Sequence, residues 1–411
     1  VRIAYFSPLN PQPTGISDYS EELLPHLARH AELDLFVDGY QPSNPVIVER
    51  FEVFDSRCFP RLQRRRRYDV CLYHMGNDPS HQYICETMLH YPGITVLHDY
   101  VLHQFFWAIT MGRGQPAAYV REMSYCYGWR GFELAHRAMR RCEDSSSNDY
   151  PLADRVIDSS FGLIVHSEYA RTLIASSHPN VPVAKVDHHL SLDALGEAVP
   201  DRDRLRVSLG LEKGQLVVAS FGRIAPSKRN DVALRAFARL LREFPQAVFL
   251  LVGETVPQYD VEGLIDELAL GDRVKLIGHV GLKAFLHYMI VADVCVNLRY
   301  PTAGETSGSL IRAMGVGTPV VVSDVGAFSE LPDECCIKVE VGGREEHLLA
   351  AHLLALARDP ATRQRIGRNA QRHAQTHHRI EDSARGYVAF AEQCLEFAKG
   401  PELRPVRLSV R

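Results

Sequence analysis

The stretch 297–331, NLRYPTAGETSGSLIRAMGVGTPVVVSDVGAFSEL, decides how the chain is read. It divides into a strand end, a glycine-containing turn that holds Glu305, a helix over about 307–314, a Gly317-Thr318-Pro319 turn and the apolar strand Val320-Val321-Val322. This order puts a carboxylate and several backbone N–H groups at the mouth of a parallel sheet. Open α/β folds bind ligands there, and a helix N-terminus favours phosphate. An ordinary connection in which Glu305 merely caps its helix would use the same residues.

Working outward, 411 residues are too many for one typical core, so two domains are expected. A formal net charge of -4 carries no global signature of nucleic acid, and no nucleic-acid partner is expected. The run Arg61, Arg64, Arg65, Arg66, Arg67 reads first as a solvated connection, with an anionic acceptor or a membrane surface as the alternative. The nine cysteines are scattered without a CxxC pair, which suggests a reducing compartment and no zinc knuckle. Apolar runs are strand-sized and follow no positive leader, so neither a signal peptide nor a membrane span is expected. The location is therefore read as cytoplasmic, with peripheral attachment at the inner face of the membrane left to the nature of the acceptor.

The amino-terminal half begins with the short strand RIAYF, a Pro/Gly-rich turn and a helix expected to start near Ser17 or Asp18, with Asp18 and Glu21 as a capping box and Pro25 as a kink. Gly15 would let this loop pass close to a ligand, with the helix presenting N–H groups to a phosphate. Further strands are expected at 32–37, 48–54, 69–73 and 93–97. The last two deliver His74-Met75-Gly76-Asn77-Asp78 and His98-Asp99 at their carboxyl ends, the edge of a doubly wound sheet that carries sites. His74, Asn77 and Asp99 are thus candidates for binding a hydroxyl-bearing ligand. No HExxH spacing accompanies His74, His98 or His103, so no catalytic metal is expected. A mainly helical region rich in aromatics covers 101–141, and a polar loop follows at 142–149.

The linker is placed at 191–204, around Pro200. Beyond it a second alternating set begins at Leu216-Val217-Val218-Ala219-Ser220-Phe221, followed by Gly222, Arg223 and Lys228. Arg223 and Lys228 stand five apart across a strand-to-helix turn, which lets both cations converge on one anion such as a diphosphate; two unrelated surface cations are the plain alternative. Strand and helix alternate in both halves, so the fold class is α/β with two Rossmann-like domains facing a central cleft: 1–190, then 205–378, with a final helix at 379–400 expected to pack back on the first domain and a tail at 401–411.

Gly15 in its loop, His98-Asp99, Phe221-Gly222-Arg223 with Lys228, Leu251-Val252-Gly253, Gly278, and Gly304-Glu305 before Ala313-Met314 and Pro319-Val320-Val321 together resemble the retaining GT-B glycosyltransferases of group 1, often called family 4. The likeness covers nearly the whole chain and is strongest over 216–331. It implies a donor domain at the carboxyl-terminal side in which Arg223 and Lys228 hold the diphosphate of a nucleotide-diphospho-sugar and stabilise the departing charge. By the same resemblance the Gly15 loop approaches those phosphates, and His98 contacts the transferred sugar. Glu305 with Thr306, Ser307, Gly308 and Ser309 touches sugar hydroxyls and phosphate, and Gly222, Gly253 and Gly278 belong to the donor site. Fixed cations and N–H dipoles would lower the barrier with no metal and no further cofactor.

One departure stands out. Family members usually carry two glutamates eight positions apart, the second on the nucleotide ribose. With Pro319 held in register, Arg312 occupies that second place and Gly304 the first. Arg312 cannot accept the ribose hydrogen bonds, and Glu330 in the following turn is the candidate substitute. The expected function is transfer of a sugar to a hydroxyl acceptor: a glycan, a lipid-linked molecule or a small molecule. A catalytically silent sugar-nucleotide or glycan-binding subunit, and a same-fold sugar-nucleotide epimerase, are the alternatives.

Overall fold

A computed structural model describes residues 1–141, 148–196 and 200–399. Most of the expected polar loop (142–147), part of the expected linker (197–199) and the tail 401–411 lie outside the described residues. The chain divides into two compact units. The first comprises Val1–Asp187, Ala303–Glu305 and the segment from Ile380; the second comprises His188–Thr302 and Thr306–Arg379.

The first unit is built on seven strands: β1 (Arg2–Phe6), β2 (Glu32–Val37), β3 (Glu52–Asp55), β4 (Val70–Met75), β5 (Gly93–Leu97), β6 (Ser160–Val165) and β7 (Val183–Lys185). They pair in the order β3-β2-β1-β4-β5-β6-β7, every pair parallel. Helices cover both faces, so the strands are apolar on both sides. Along β1, Ala4 and Phe6 enter one apolar cluster while Ile3 and Tyr5 enter the other. The helices Gly15–Leu27 and Ile380–Lys399 pack together on the Tyr5 side, where the hydroxyls of Tyr19 and Tyr387 lie 2.8 Å apart.

Two local expectations are corrected. Residues 45–50 form a helix rather than the start of a strand: Asn44 accepts from the Val46 N–H and Pro45 takes the first turn, where its missing N–H costs nothing. The helix after β1 starts at Gly15, capped by Thr14, which accepts from the Ser17 N–H. Asp18 and Glu21 therefore form no capping box. They fold back on the preceding loop, where Asn10 donates its side-chain amide to Asp18 and its backbone N–H to Glu21. Pro25 falls in the last turn and does not interrupt the helix.

The second unit repeats the plan with β8 (Val217–Phe221), β9 (Val248–Val252), β10 (Val274–Gly278), β11 (Val294–Asn297), β12 (Val320–Ser323) and β13 (Cys336–Val339), in the order β10-β9-β8-β11-β12-β13 and all parallel. Both faces again carry apolar clusters. In each sheet the strand order reverses once, between β1 and β4 in the first and between β8 and β11 in the second. Loops diverge at such a point and leave a crevice outside the carboxyl ends of the strands. The stretch 297–331 leaves β11 at the second of these crevices.

Candidate active site

In the second unit, β8 and β9 are each followed by a glycine, Gly222 and Gly253, and β10 ends in Gly278. Gly222 has φ +92°, and Gly253 lies so close that a Cβ on it would sit 2.1 Å from the Gly222 carbonyl oxygen. This close approach explains Gly253 without a ligand. Gly253 bridges in turn to Gly278, at φ +75°. Strand ends without side chains leave backbone open to an incoming group. Lys228 closes the short turn Pro226–Lys228, and its Nζ lies 3.5 Å from the point where a Gly222 Cβ would stand. Arg223, which follows Gly222, is exposed. Burial pushes the Cys295 thiol up to about 12, with the charge of Lys228 opposing the rise. The Tyr300 N–H donates to the Ser227 carbonyl at 2.9 Å, so the loops after β8 and β11 are tied together.

Next to Lys228, Arg229 holds a left-handed conformation (φ +53°), and its guanidinium donates to Glu345 at 2.6 Å. Glu345 is 1% exposed. This pair was not among the sequence candidates; a charged residue next to a Gly-Gly turn carries no periodic signal.

Asn297 ends β11 fully buried and donates its amide to Ser307 Oγ (3.4 Å) and Ser309 Oγ (3.3 Å). Ser307 caps the helix Gly308–Gly315 by accepting from the Leu310 N–H. The Asn297 Oδ1 and the Thr306 hydroxyl are buried polar atoms with no protein partner. On the next turn of that helix, Arg312 is buried and lays its guanidinium against Gly308; a Cβ at Gly308 would meet both Arg312 Nη1 and His188 Nε2 at 3.1 Å. Glu330 is exposed at the end of the turn Gly326–Glu330, after β12.

Residues 303–305 belong to the first unit. The Ala303 carbonyl accepts from the Val101 N–H at 2.9 Å. Gly304, at φ +80°, passes so close to Tyr100 that a Cβ on it would lie 2.7 Å from the Tyr100 Cβ. Glu305 turns back to accept from the Ala303 N–H at 2.7 Å. A side chain at 304 would be strained by both the positive φ and the Tyr100 contact. The contact also brings Glu305 to the segment that follows His98 and Asp99.

His98, at the end of β5, is half-buried, and its Nε2 faces the Nδ1 of His74 at 3.0 Å. The ring of Tyr19 meets it edge-on at 5.0 Å, and the ring of His166 lies 5.0 Å away. His166 is fixed by its Nδ1 bond to the Val186 carbonyl. Burial raises the phenols of Tyr5, Tyr19 and Tyr387 well above the usual tyrosine range, so these walls stay neutral. His74 is 0% exposed, with its ring 4.7 Å from that of Tyr5 and 6.0 Å from that of Tyr387. Asn77 donates its backbone N–H to the Asp99 carboxylate at 2.9 Å, and its side-chain amide oxygen accepts from the Phe105 N–H at 2.8 Å. Gly15 is exposed, and a Cβ there would meet nothing within 4 Å. Tyr19 and Tyr387 are 368 positions apart, a pairing that no local pattern announces.

Among the described residues no group of three or more His, Cys, Asp or Glu is arranged to hold a metal ion, and no helix is long and apolar enough to cross a membrane. All eight described cysteines are free thiols.

Comparison with known proteins follows the same division. Residues 201–373 match the family described as glycosyl transferases group 1. Over 237 residues the chain is 32% identical to a D-inositol 3-phosphate glycosyltransferase of Streptomyces avermitilis, covering 54% of this chain and 48% of that protein. The protein of the same description from Nocardia farcinica is 33% identical over 183 residues, 42% of this chain and 40% of its own. The chain thus spans about half the length of the curated relatives it matches, or less. Among solved structures, the sucrose-phosphate synthase of Thermosynechococcus elongatus superposes with a TM-score of 0.71 at 19% identity, over 97% of this chain and 100% of that one. HepE of Anabaena, solved with UDP and glucose, gives 0.66 at 18% identity, over 95% and 99%. Together these findings show that the chain has the GT-B fold, two Rossmann-like units, and that its residues 201–373 are of the glycosyl transferases group 1 type.

Proposed function

We propose that the whole chain is a retaining group 1 glycosyltransferase that moves a sugar from a nucleotide diphosphate to a hydroxyl acceptor in the cytoplasm, with residues 205–378 as donor domain and 1–190 facing the acceptor. The observation that carries this reading is the crevice between β8 and β11. Gly222 follows β8 with Lys228 Nζ close to it and Arg223 exposed, and the Ser307-capped helix Gly308–Gly315 follows β11.

Departure of a nucleotide diphosphate leaves negative charge on its terminal phosphate. Two cations and the N–H groups of a helix start stabilise that charge. His98, oriented by His74 and walled by Tyr19, is the group we assign to the transferred sugar, and Glu305 binds its hydroxyls. The named relatives act on inositol 3-phosphate, and HepE holds UDP, so UDP-sugars are the first donors to try. Glu330 supplies the ribose contact in this reading, and the buried Arg312 makes a silent sugar-nucleotide-binding subunit the second reading.

The test is release of nucleoside diphosphate from UDP-, GDP-, ADP- and dTDP-sugars with a panel of hydroxyl acceptors, and the anomeric configuration of the product by NMR. Retention at the anomeric carbon is expected. An inverted product removes the mechanism, and a donor that binds without turnover on any acceptor favours the silent subunit.

A further inference from the structure

Residues 98–105 of the first unit are pinned from several sides. The His98 N–H donates to the Met75 carbonyl at 2.9 Å, and the Leu102 N–H donates to the Pro151 carbonyl at 2.7 Å. Asn77 holds both the Asp99 carboxylate and the Phe105 N–H. Between these anchors Tyr100 packs against the apolar cluster that contains Ala4 and Phe6. The Val101 N–H is given to the Ala303 carbonyl at 2.9 Å.

That contact runs on to Glu305. The Ala303 N–H donates to the Glu305 carboxylate at 2.7 Å, so residue 303 joins Val101 to the carboxylate by two hydrogen bonds, one at its carbonyl and one at its N–H. A bond to a carboxylate is charge-assisted, and it holds the side chain in one direction. Gly304 closes the turn at φ +80°, its backbone so near Tyr100 that a Cβ would stand 2.7 Å from the Tyr100 Cβ and 3.5 Å from the Tyr100 nitrogen. Residues 303–305 go with the first unit, whereas Arg223 and Lys228 belong to the second.

We propose that Tyr100, Val101 and Gly304 are positioning residues for Glu305, and that their effect falls on the sugar of a nucleotide-diphospho-sugar and not on its nucleotide. The role given to Glu305 rests on the reading that it binds sugar hydroxyls; the clamp of 303–305 on 100–101 does not.

Two measurements on the whole chain test this. Amide hydrogen exchange reads the clamp: the Val101 N–H is expected to exchange slowly in the parent and about tenfold faster in Gly304→Ala, with β11 and the helix 308–315 at parental rates. Calorimetric titration with UDP-, GDP-, ADP- and dTDP-sugars and with the four free diphosphates reads its effect. Gly304→Ala is expected to bind the sugar conjugate about 10- to 100-fold more weakly, as for loss of a hydrogen bond to a charged group, and the free diphosphate within about twofold of the parent. Glu305→Gln leaves the backbone contacts in place and should lose the same sugar-dependent affinity with parental exchange at Val101. The thermal midpoints of both variants confirm that they fold. Fast exchange at Val101 in the parent, equal exchange in parent and Gly304→Ala, equal loss of conjugate and free diphosphate, or a Glu305→Gln variant that binds the conjugate like the parent would each overturn the proposal. A clamp that opens in Gly304→Ala, in a protein that binds no diphosphate and no conjugate, would remove the glycosyltransferase reading and the role of Glu305 with it. Donor binding with an unchanged Val101 would keep that reading and remove the clamp.

Discussion

Gly304 stands at φ +80° with its backbone against Tyr100, one residue before Glu305. Gly304→Ala is expected to cost about 1–3 kcal/mol in denaturant unfolding, from the positive φ and the contact together. Gly15→Ala meets open space and should leave stability within about 0.5 kcal/mol. A donor affinity that falls in Gly15→Ala, in a protein of parental stability, would mark the loop as facing the phosphates. His81 belongs at this scale too. Fully buried, with its Nδ1 on the Asp78 carbonyl, it has its pKa lowered by desolvation from 6.5 to about 4. Between pH 6.5 and 4 the unfolded chain takes up a proton that the folded chain refuses, so stability falls as pH drops through that window, by about 3 kcal/mol in all. His81→Gln should flatten that part of the curve; an unchanged slope between pH 7 and 4.5 would remove His81 as its source.

Among the elements, the turn carrying Lys228 is anchored from one side by Arg229 on the buried Glu345. Glu345→Ala leaves that guanidinium without its buried carboxylate and is expected to cost about 3 kcal/mol, near the lower bound for a buried pair because Arg229 keeps part of its side chain in water. Nucleotide-sugar affinity should fall with it if the pair positions Lys228; loss of stability with unchanged affinity would confine the pair to a structural role. Much of this architecture could be read from sequence. Strands buried on both faces are apolar throughout, so β4, β5, β8, β9 and β12 announce themselves, and their order gives two doubly wound sheets. The helix 45–50 was missed because its signal is a cap, Asn44 with Pro45, ahead of residues that also suit a strand. The burial of His74 beside Tyr5 and Tyr387 was not legible, because a polar residue at a strand end looks the same whether it faces solvent or a tyrosine stack. The pairing of Tyr19 with Tyr387 and the place of 303–305 in the first unit are long-range packing, which no local period encodes.

At the scale of the molecule, each unit carries its own two-faced core and its own switch point, and the chain passes between the units at 187/188, 302/303, 305/306 and 379/380. The loop bearing Glu305 is therefore held by the first unit although the strand before it and the helix after it belong to the second. The account depends on the second unit's crevice binding a nucleotide diphosphate. The most direct measurement is thermal stabilisation by UDP-, GDP-, ADP- and dTDP-sugars of the parent and of the Arg223→Ala, Lys228→Ala double variant. A donor at a hundred times its Kd adds about 2.7 kcal/mol. The account predicts a corresponding rise in midpoint with at least one donor and its loss in the double variant. A parent that no nucleotide sugar stabilises, or a double variant stabilised as much as the parent, would contradict it.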